Sequence, residues 1–143
     1  MDLKLLKAKM EEYFSHSKLE FHTEEINNDG LHYIATEMIF TINALDNLEV
    51  QLVALGYENG TSQVNFNFGE CDTLTLEFIR DCYDFNQNNF GFKATREYDE
   101  LRFYNQAFFA SPEEFIFNLD HQISGFLNDK NLENCKRFIK YIH

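Results

Sequence analysis

The residues able to do chemistry are few and scattered. Five histidines, His16, His22, His32, His121 and His143, lie far apart in the chain, with no Cys-x-x-Cys or His-Glu-x-x-His spacing. Metal sites are built from such clustered ligands. Only His22 and His32 are placed to meet, across a first hairpin, and ordinary strand or surface histidines are the expectation there too. Cys71, Cys82 and Cys135 are odd in number and not closely spaced, which suits reduced thiols better than a disulfide framework. A nucleophilic thiol needs a base or a lowered pKa. Cys71 instead stands between Glu70 and Asp72, whose charges disfavour a thiolate, while Cys82 and Cys135 fall on apolar helical stripes where burial is expected. Glu77, Asp81 and Asp84 share one helical neighbourhood with Arg80. Paired carboxylates can do acid–base work, but the expected reading is a solvated polar face. The glycines are dispersed and none opens a phosphate-cradling loop. The residues therefore predict no catalytic group, no metal and no cofactor: not an enzyme.

Composition points the same way. The 143 residues suit one domain, 1–143, with 16 Phe, 7 Tyr, no Trp and a single proline, Pro112. Such aromatic content opposes disorder and can fill a core without staples. Met1 to Phe14 interleaves Lys4, Lys7, Lys9, Glu11 and Glu12 with apolar residues, so no secretory signal is expected. No apolar run is long enough to cross a bilayer, and a cytoplasmic protein is expected. The net charge is -12. Between Leu19 and Asp72 there is no Lys or Arg, but there are Glu20, Glu24, Glu25, Asp29, Glu37, Asp46, Glu49, Glu58 and Glu70. Such a field repels nucleic-acid phosphates and anionic membranes, and attracts a basic protein. Solubility alone is the plainer account of it.

These residues must be carried by elements that the apolar spacing defines. Leu3, Leu6, Met10, Tyr13 and Phe14 predict a helix over 2–16. Leu19 to Ile26 reads as a strand, and Asn28-Asp29-Gly30 as a turn. From His32, Ile34, Met38, Phe40 and Ile42 alternate with Tyr33, Ala35, Glu37 and Thr41 in a second strand. Asp46-Asn47 turns into a third strand, Leu48–Tyr57. Asn59-Gly60 is a hairpin signal, and Asn59-Gly60-Thr61 reads as that turn rather than as a glycosylation site. Val64, Phe66 and Phe68 then alternate with Gln63, Asn65 and Asn67. After Asp72 the period becomes helical through Phe78, Ile79, Cys82, Tyr83 and Phe85, with Asp72 or Thr73 as cap and Asn86 to Asn89 as the end. Strands follow near Phe92–Tyr98 and Leu101–Phe109. Ser111, Pro112 and Glu114 form a helix start signal ahead of Phe115, Leu119, Ile123 and Phe126. A break at Asn128-Asp129 leads to a last helix carrying Leu132, Cys135, Phe138, Ile139 and Ile142. The order α-β-β-β-β-α-β-β-α-α predicts an α+β fold, an antiparallel sheet with helices on one face.

The strand Leu48–Tyr57 breaks the pattern that such a sheet requires. Leu48, Val50, Leu52 and Ala54 point one way, but Val53, Leu55 and Tyr57 make the other face apolar as well. Tyr104 and Phe108 alternate off the same side of their own strand and extend such a patch. Either the last helix, around Phe138 and Ile142, covers this second face, or a partner or a second copy does. Val53, Leu55, Tyr57, Tyr104 and Phe108 are the candidate protein-binding residues.

The run Phe78-Ile79-Arg80-Asp81-Cys82-Tyr83-Asp84-Phe85-Asn86 closes a helix on an Asn. A strand with Phe92 and Ala94 follows, then an acidic turn, Leu101-Arg102-Phe103-Tyr104, and a Ser-Pro-Glu-Glu helix with Phe115, Leu119 and Phe126. Over roughly residues 73–128 this resembles the YbjN family of bacterial proteins, which share the type III secretion chaperone-like fold. The apparent extra strand and the second C-terminal helix depart from that family's pattern. The resemblance implies no catalytic residue. It implies a cytoplasmic, often dimeric, protein-binding or chaperone-like module with a protein partner. An alternative of another class is an acidic nucleic-acid mimic that blocks a basic groove. A mimic needs carboxylates spaced like phosphates on one face; a binding module needs an apolar patch ringed by acids.

Overall fold

The computed structural model describes residues 1–71, 74–89 and 91–143. Helix α1 (Leu3–Ser15) starts where the Asp2 carboxylate accepts the N–H groups of Lys4 and Leu5, and it buries Leu3, Leu6, Met10 and Phe14. Strands β1 (Phe21–Asn28) and β2 (Leu31–Ile42) are joined through Asp29 and Gly30, both at positive φ. A 3-10 turn, Asn43–Leu45, leads to Asp46 and Asn47 in the left-handed region, which Asn and Asp tolerate best after glycine. Strands β3 (Leu48–Tyr57) and β4 (Thr61–Glu70) follow, then α2 (Leu76–Asn88), β5 (Lys93–Glu97), β6 (Glu100–Phe108), α3 (Pro112–Phe126) and α4 (Asp129–Cys135). This is the α+β element order that the spacing predicts. Asn59 is a turn residue whose Oδ1 accepts both the N–H and the hydroxyl of Thr61.

The six strands form one antiparallel sheet in the order β1-β2-β3-β4-β6-β5. The helices cover one face. Val50, Leu52, Ala54 and Gly56 of β3 point into them, as do Val64 and Phe66 of β4. At Gly56, an added Cβ would lie 2.8 Å from Leu6 Cδ2 and 3.0 Å from the Phe115 ring. Only a glycine lets α1 and α3 close so tightly on the sheet. Phe126 stacks on Phe66 with centroids 4.0 Å apart, and Phe103 meets the edges of Phe85 and Phe138.

Three expectations change. The expected caps of α2, Asp72 or Thr73, lie outside the described residues, and Thr75 caps the helix by accepting the Phe78 N–H. Ile79 and Tyr83 are exposed, not buried. Phe78, Cys82 and Phe85, at i, i+4 and i+7, form the inward stripe, and residues one step on rotate about 100° away. The last helix is two pieces: α4, capped by Asn128, and a 3-10 helix over Lys136–Tyr141. Its buried apolar residues Leu132, Cys135, Phe138 and Tyr141 recur every three residues, and over Lys136–Tyr141 that spacing matches the 3-10 period.

The Asn that ends α2 has a structural task. Asn86 Oδ1 accepts the Ala94 N–H at 2.7 Å and its Nδ2 donates to the Ala94 carbonyl at 3.1 Å. The amide thus replaces a strand rung and blunts the β5 edge, which would otherwise offer free backbone groups.

Candidate functional site

The sheet face turned away from the helices is built by alternation. Glu49, Gln51, Val53, Leu55 and Tyr57 of β3 point there, opposite the buried even positions. The register sets their neighbours. Val53 lies between Glu37 of β2 and Asn65 of β4, and Leu55 between Ala35 and Gln63. Tyr57 pairs with Tyr33, their ring centroids 4.9 Å apart. Burial first, and the neighbouring Tyr33 second, hold the Tyr57 phenol above its ordinary pKa. Ile26 pairs with Tyr33 from β1.

All five sequence-predicted residues, Val53, Leu55, Tyr57, Tyr104 and Phe108, lie on this face, but as two groups. Asn65 separates Val53 from Tyr104, and Gln63 continues the same polar line along β4. Phe108, 81% exposed, pairs with Thr61 at the end of β4. The β3 group extends instead toward β2 and β1, through Tyr33, Ala35 and Ile26. Sequence reading missed these three because their membership depends on register, although their odd positions on β2 and even position on β1 alternate correctly. Ile39, 57% exposed, adds to the same face beside Gln51.

None of the described helices covers this surface. The C-terminal segment, the expected intramolecular cover, packs on the other side, where Phe138 lies 5.3 Å from Phe103 and 5.8 Å from Phe85. The side is fixed by polar anchors. Lys140 Nζ reaches Glu77 at 2.5 Å, the Tyr141 hydroxyl donates to Asp81 at 2.5 Å, and Arg137 lies 4.0 Å from Asp81. Glu77 and Asp84 are exposed, as expected of a solvated face, while Asp81, 20% exposed, joins the contacts that tie the chain end to α2. Burial and the Asp81 hydrogen bond keep the Tyr141 phenol protonated far above its usual range.

The rim of the open face is acidic. Glu24, Glu37 and Glu49 stand exposed on its β1–β3 half. At the other end Arg102 is held by Glu100 at 2.8 Å, and Asn67 donates to the same carboxylate at 3.0 Å. These bonds, the Arg102 bond first, lower the Glu100 pKa. The cation is thereby committed inside the protein.

The chemical candidates do not assemble. His22 and His32 do not meet: His22 pairs in register with Glu37 and His32 with Asn27, on opposite faces of the hairpin. Each has its own acid partners, Glu24 at 3.0 Å for His22, and Glu25 at 3.0 Å and Glu58 at 2.8 Å for His32. Among the described residues no group of three or more His, Cys, Asp or Glu is placed to hold a metal ion. Burial pushes the Cys82 thiol up to about 11 and the Cys135 thiol up to about 12. An amide-lined cleft of about 460 Å³ lies between the end of α2, α3 and α4. Its amides largely bind one another and the backbone: Asn89 to Asn131, Gln122 to Asn105, and Asn105 to the Gly91 carbonyl.

Among the described residues, no helix is long and apolar enough to cross a membrane. Comparison with protein-family models, with curated proteins and with solved structures finds no match.

Proposed function

We infer that this chain is a non-enzymatic, chaperone-like protein-binding module, as the resemblance to the YbjN family implies, and that its partner docks on the open face of the sheet. One observation carries the reading. Val53, Leu55 and Tyr57, joined by Tyr33 and Ile26 around the buried Ala35, form a partly exposed apolar surface that none of the described helices covers, with carboxylates around it. Contiguous apolar surface rimmed by polar groups marks interaction sites. Fully burying a large apolar side chain contributes about 1.5–3 kcal/mol, so completing the burial of a few such residues is enough to hold a partner.

The rim selects the partner. Strands β1 to β4 carry no Lys or Arg, so a complementary protein presents an apolar centre flanked by basic residues. A second copy is the other occupant the resemblance implies. It would set Glu24, Glu37 and Glu49 near their own images unless rotated clear, and like charges across an interface are costly. The nucleic-acid-mimic reading is less well supported. The carboxylates of this half divide between both faces of the sheet and the turns at Asp29 and Asp46, rather than forming one phosphate-like row.

Parallel affinity captures from the native host with the wild-type chain and Leu55→Asp test this. The expected result is a partner held by the wild type at low salt, weakened by added salt and lost with Leu55→Asp, while the variant keeps the wild-type circular dichroism spectrum. Equal capture by both chains, or unfolding of the variant, would remove the open face from consideration. Sedimentation of the purified chain reads the second-copy occupant: a dimer abolished by Leu55→Asp would replace the basic partner with self-association.

A further inference from the structure

The helix-bearing side of the sheet contains a separate cavity of about 490 Å³, between the C-terminal halves of α1 and α3. Its origin lies in how the two helices are held. They close on the sheet at Gly56 through Leu6 and Phe115, with the Lys9–Glu113 ion pair alongside. Further along, Tyr13 and Asp120 bridge them, the tyrosine hydroxyl donating to Asp120 Oδ1 at 3.0 Å. On the sheet beneath, Leu52 and Met38 are opposed in register and both line the space.

The lining is apolar within and polar only at the mouth. Phe14, Met38 and Leu52 form a buried floor, and Phe40 and Ile123 are partly buried walls. The backbone at Met38, Phe40 and Leu52 belongs to the β2–β3 ladder, so no donor or acceptor there is left over for water. Water in such a space is weakly held, and an apolar group that displaces it gains affinity. The volume falls within the range of about 300–1,000 Å³ typical of small-molecule sites, which are likewise apolar with a few convergent polar groups. At the mouth the Tyr13 phenol stays protonated, chiefly through burial and then through its Asp120 bond. The exposed Asp120 carboxylate, with one oxygen taken by Tyr13, has its other oxygen to offer.

We propose that this cavity binds a small amphiphile whose apolar body enters between α1 and α3 and whose neutral or cationic, hydrogen-bond-donating head rests on the Tyr13–Asp120 pair. The head preference follows from charge. Asp120 is the carboxylate at an opening it shares with His16 and Ser17, in a chain with net charge -12, and this field disfavours carboxylate, sulfonate and phosphate heads and favours donors and cations. The site is on the opposite side of the sheet from the partner surface and does not depend on it.

Fluorescence titration with N-phenyl-1-naphthylamine, a neutral aromatic amine that brightens in apolar surroundings, tests the cavity. The expected result is saturable binding at one site. Ile123→Trp, which fills the wall, should weaken it at least tenfold, and the milder Leu127→Phe, at a further lining residue, should weaken it less. Leu55→Asp, on the far face, should leave it unchanged. Displacement then reads the head. Dodecylamine should compete at least tenfold better than dodecanoate, and Asp120→Asn should narrow that gap. Absence of saturable binding to the folded wild type, or binding unaffected by both filling variants, would overturn the site. Equal competition by the amine and the carboxylate would overturn the assigned head chemistry.

Discussion

The two faces of this sheet use the same residue types to different ends. On the helix-bearing face, Phe66, Phe103, Phe126 and Phe138 are fully enclosed and interlock ring on ring. On the open face, Tyr33, Val53, Leu55 and Tyr57 are apolar but only partly covered, by one another and by the strands beside them. The first arrangement completes its burial within the chain. The second stops short, and the missing surface is what a partner supplies. An apolar residue therefore says little by itself: whether it belongs to a core or an interface depends on which face of the sheet the helices occupy.

The contrast predicts unequal responses to mutation. The largest effect belongs to the enclosed aromatics. Phe115→Ala or Phe78→Ala should lower unfolding stability by about 3–5 kcal/mol in urea titrations, the usual loss for a buried phenylalanine. A loss under about 1 kcal/mol at both would show that the helix face is not the core. Next comes Gly56→Val, which forces side-chain atoms into the space held by Leu6 and Phe115. Overpacking of this kind costs about 1–3 kcal/mol, and thermal melts should show a lowered Tm without a change of fold. Leu55→Asp, at a half-buried position, should cost less than the enclosed phenylalanines, within the ordinary range of about 0.5–3 kcal/mol for a point substitution.

The smallest effect concerns the β1–β2 hairpin end, on the side of the sheet opposite the open face. His32 is held by Glu25 and Glu58, and the Glu25 hydrogen bond first, then Glu58, raise its pKa above the ordinary histidine value. A raised value in the folded state means that this stabilisation is complete below the unfolded pKa, about 6.5, and is lost as pH rises through the folded value. Tm should therefore drift downward on that account between slightly acid and slightly alkaline pH. His32→Gln should flatten that component of the profile; an unchanged slope would show that the two carboxylates do not act on His32.

Much of the fold was legible because alternation and turn chemistry are local. The β3 boundaries, Leu48–Tyr57, and the Asn59-Gly60 turn follow from residues within reach of one another, and the Ser111 cap and Pro112 mark the α3 start in the same way. What the sequence hid is non-local. Whether Phe138 lies over or under the sheet is decided by contacts with Phe85 and Phe103 and by the Lys140–Glu77 and Tyr141–Asp81 anchors, about 60 residues away along the chain by the spacing of those anchors. The extension of the patch to Tyr33, Ala35 and Ile26 required the strand register. The change to a 3-10 helix at Lys136 was hidden because Leu132, Cys135, Phe138 and Tyr141 keep one three-residue spacing across the α-helical and 3-10 pieces alike. The α2 stripe was misread because Ile79 and Tyr83 are apolar without facing inward.

Those last two residues give the central claim its sharpest control, since Ile79, Tyr83 and Phe117 are exposed apolar side chains on the helix layer. Hydroxyl-radical footprinting of the captured complex, read by mass spectrometry, compares the two sides in one experiment. If the open face is the partner surface, Tyr33 and Tyr57 lose reactivity when the partner is bound, while Tyr83 and Phe117 react as in the free chain. Protection of Tyr83 and Phe117 with unchanged labelling of Tyr33 and Tyr57 would contradict the account.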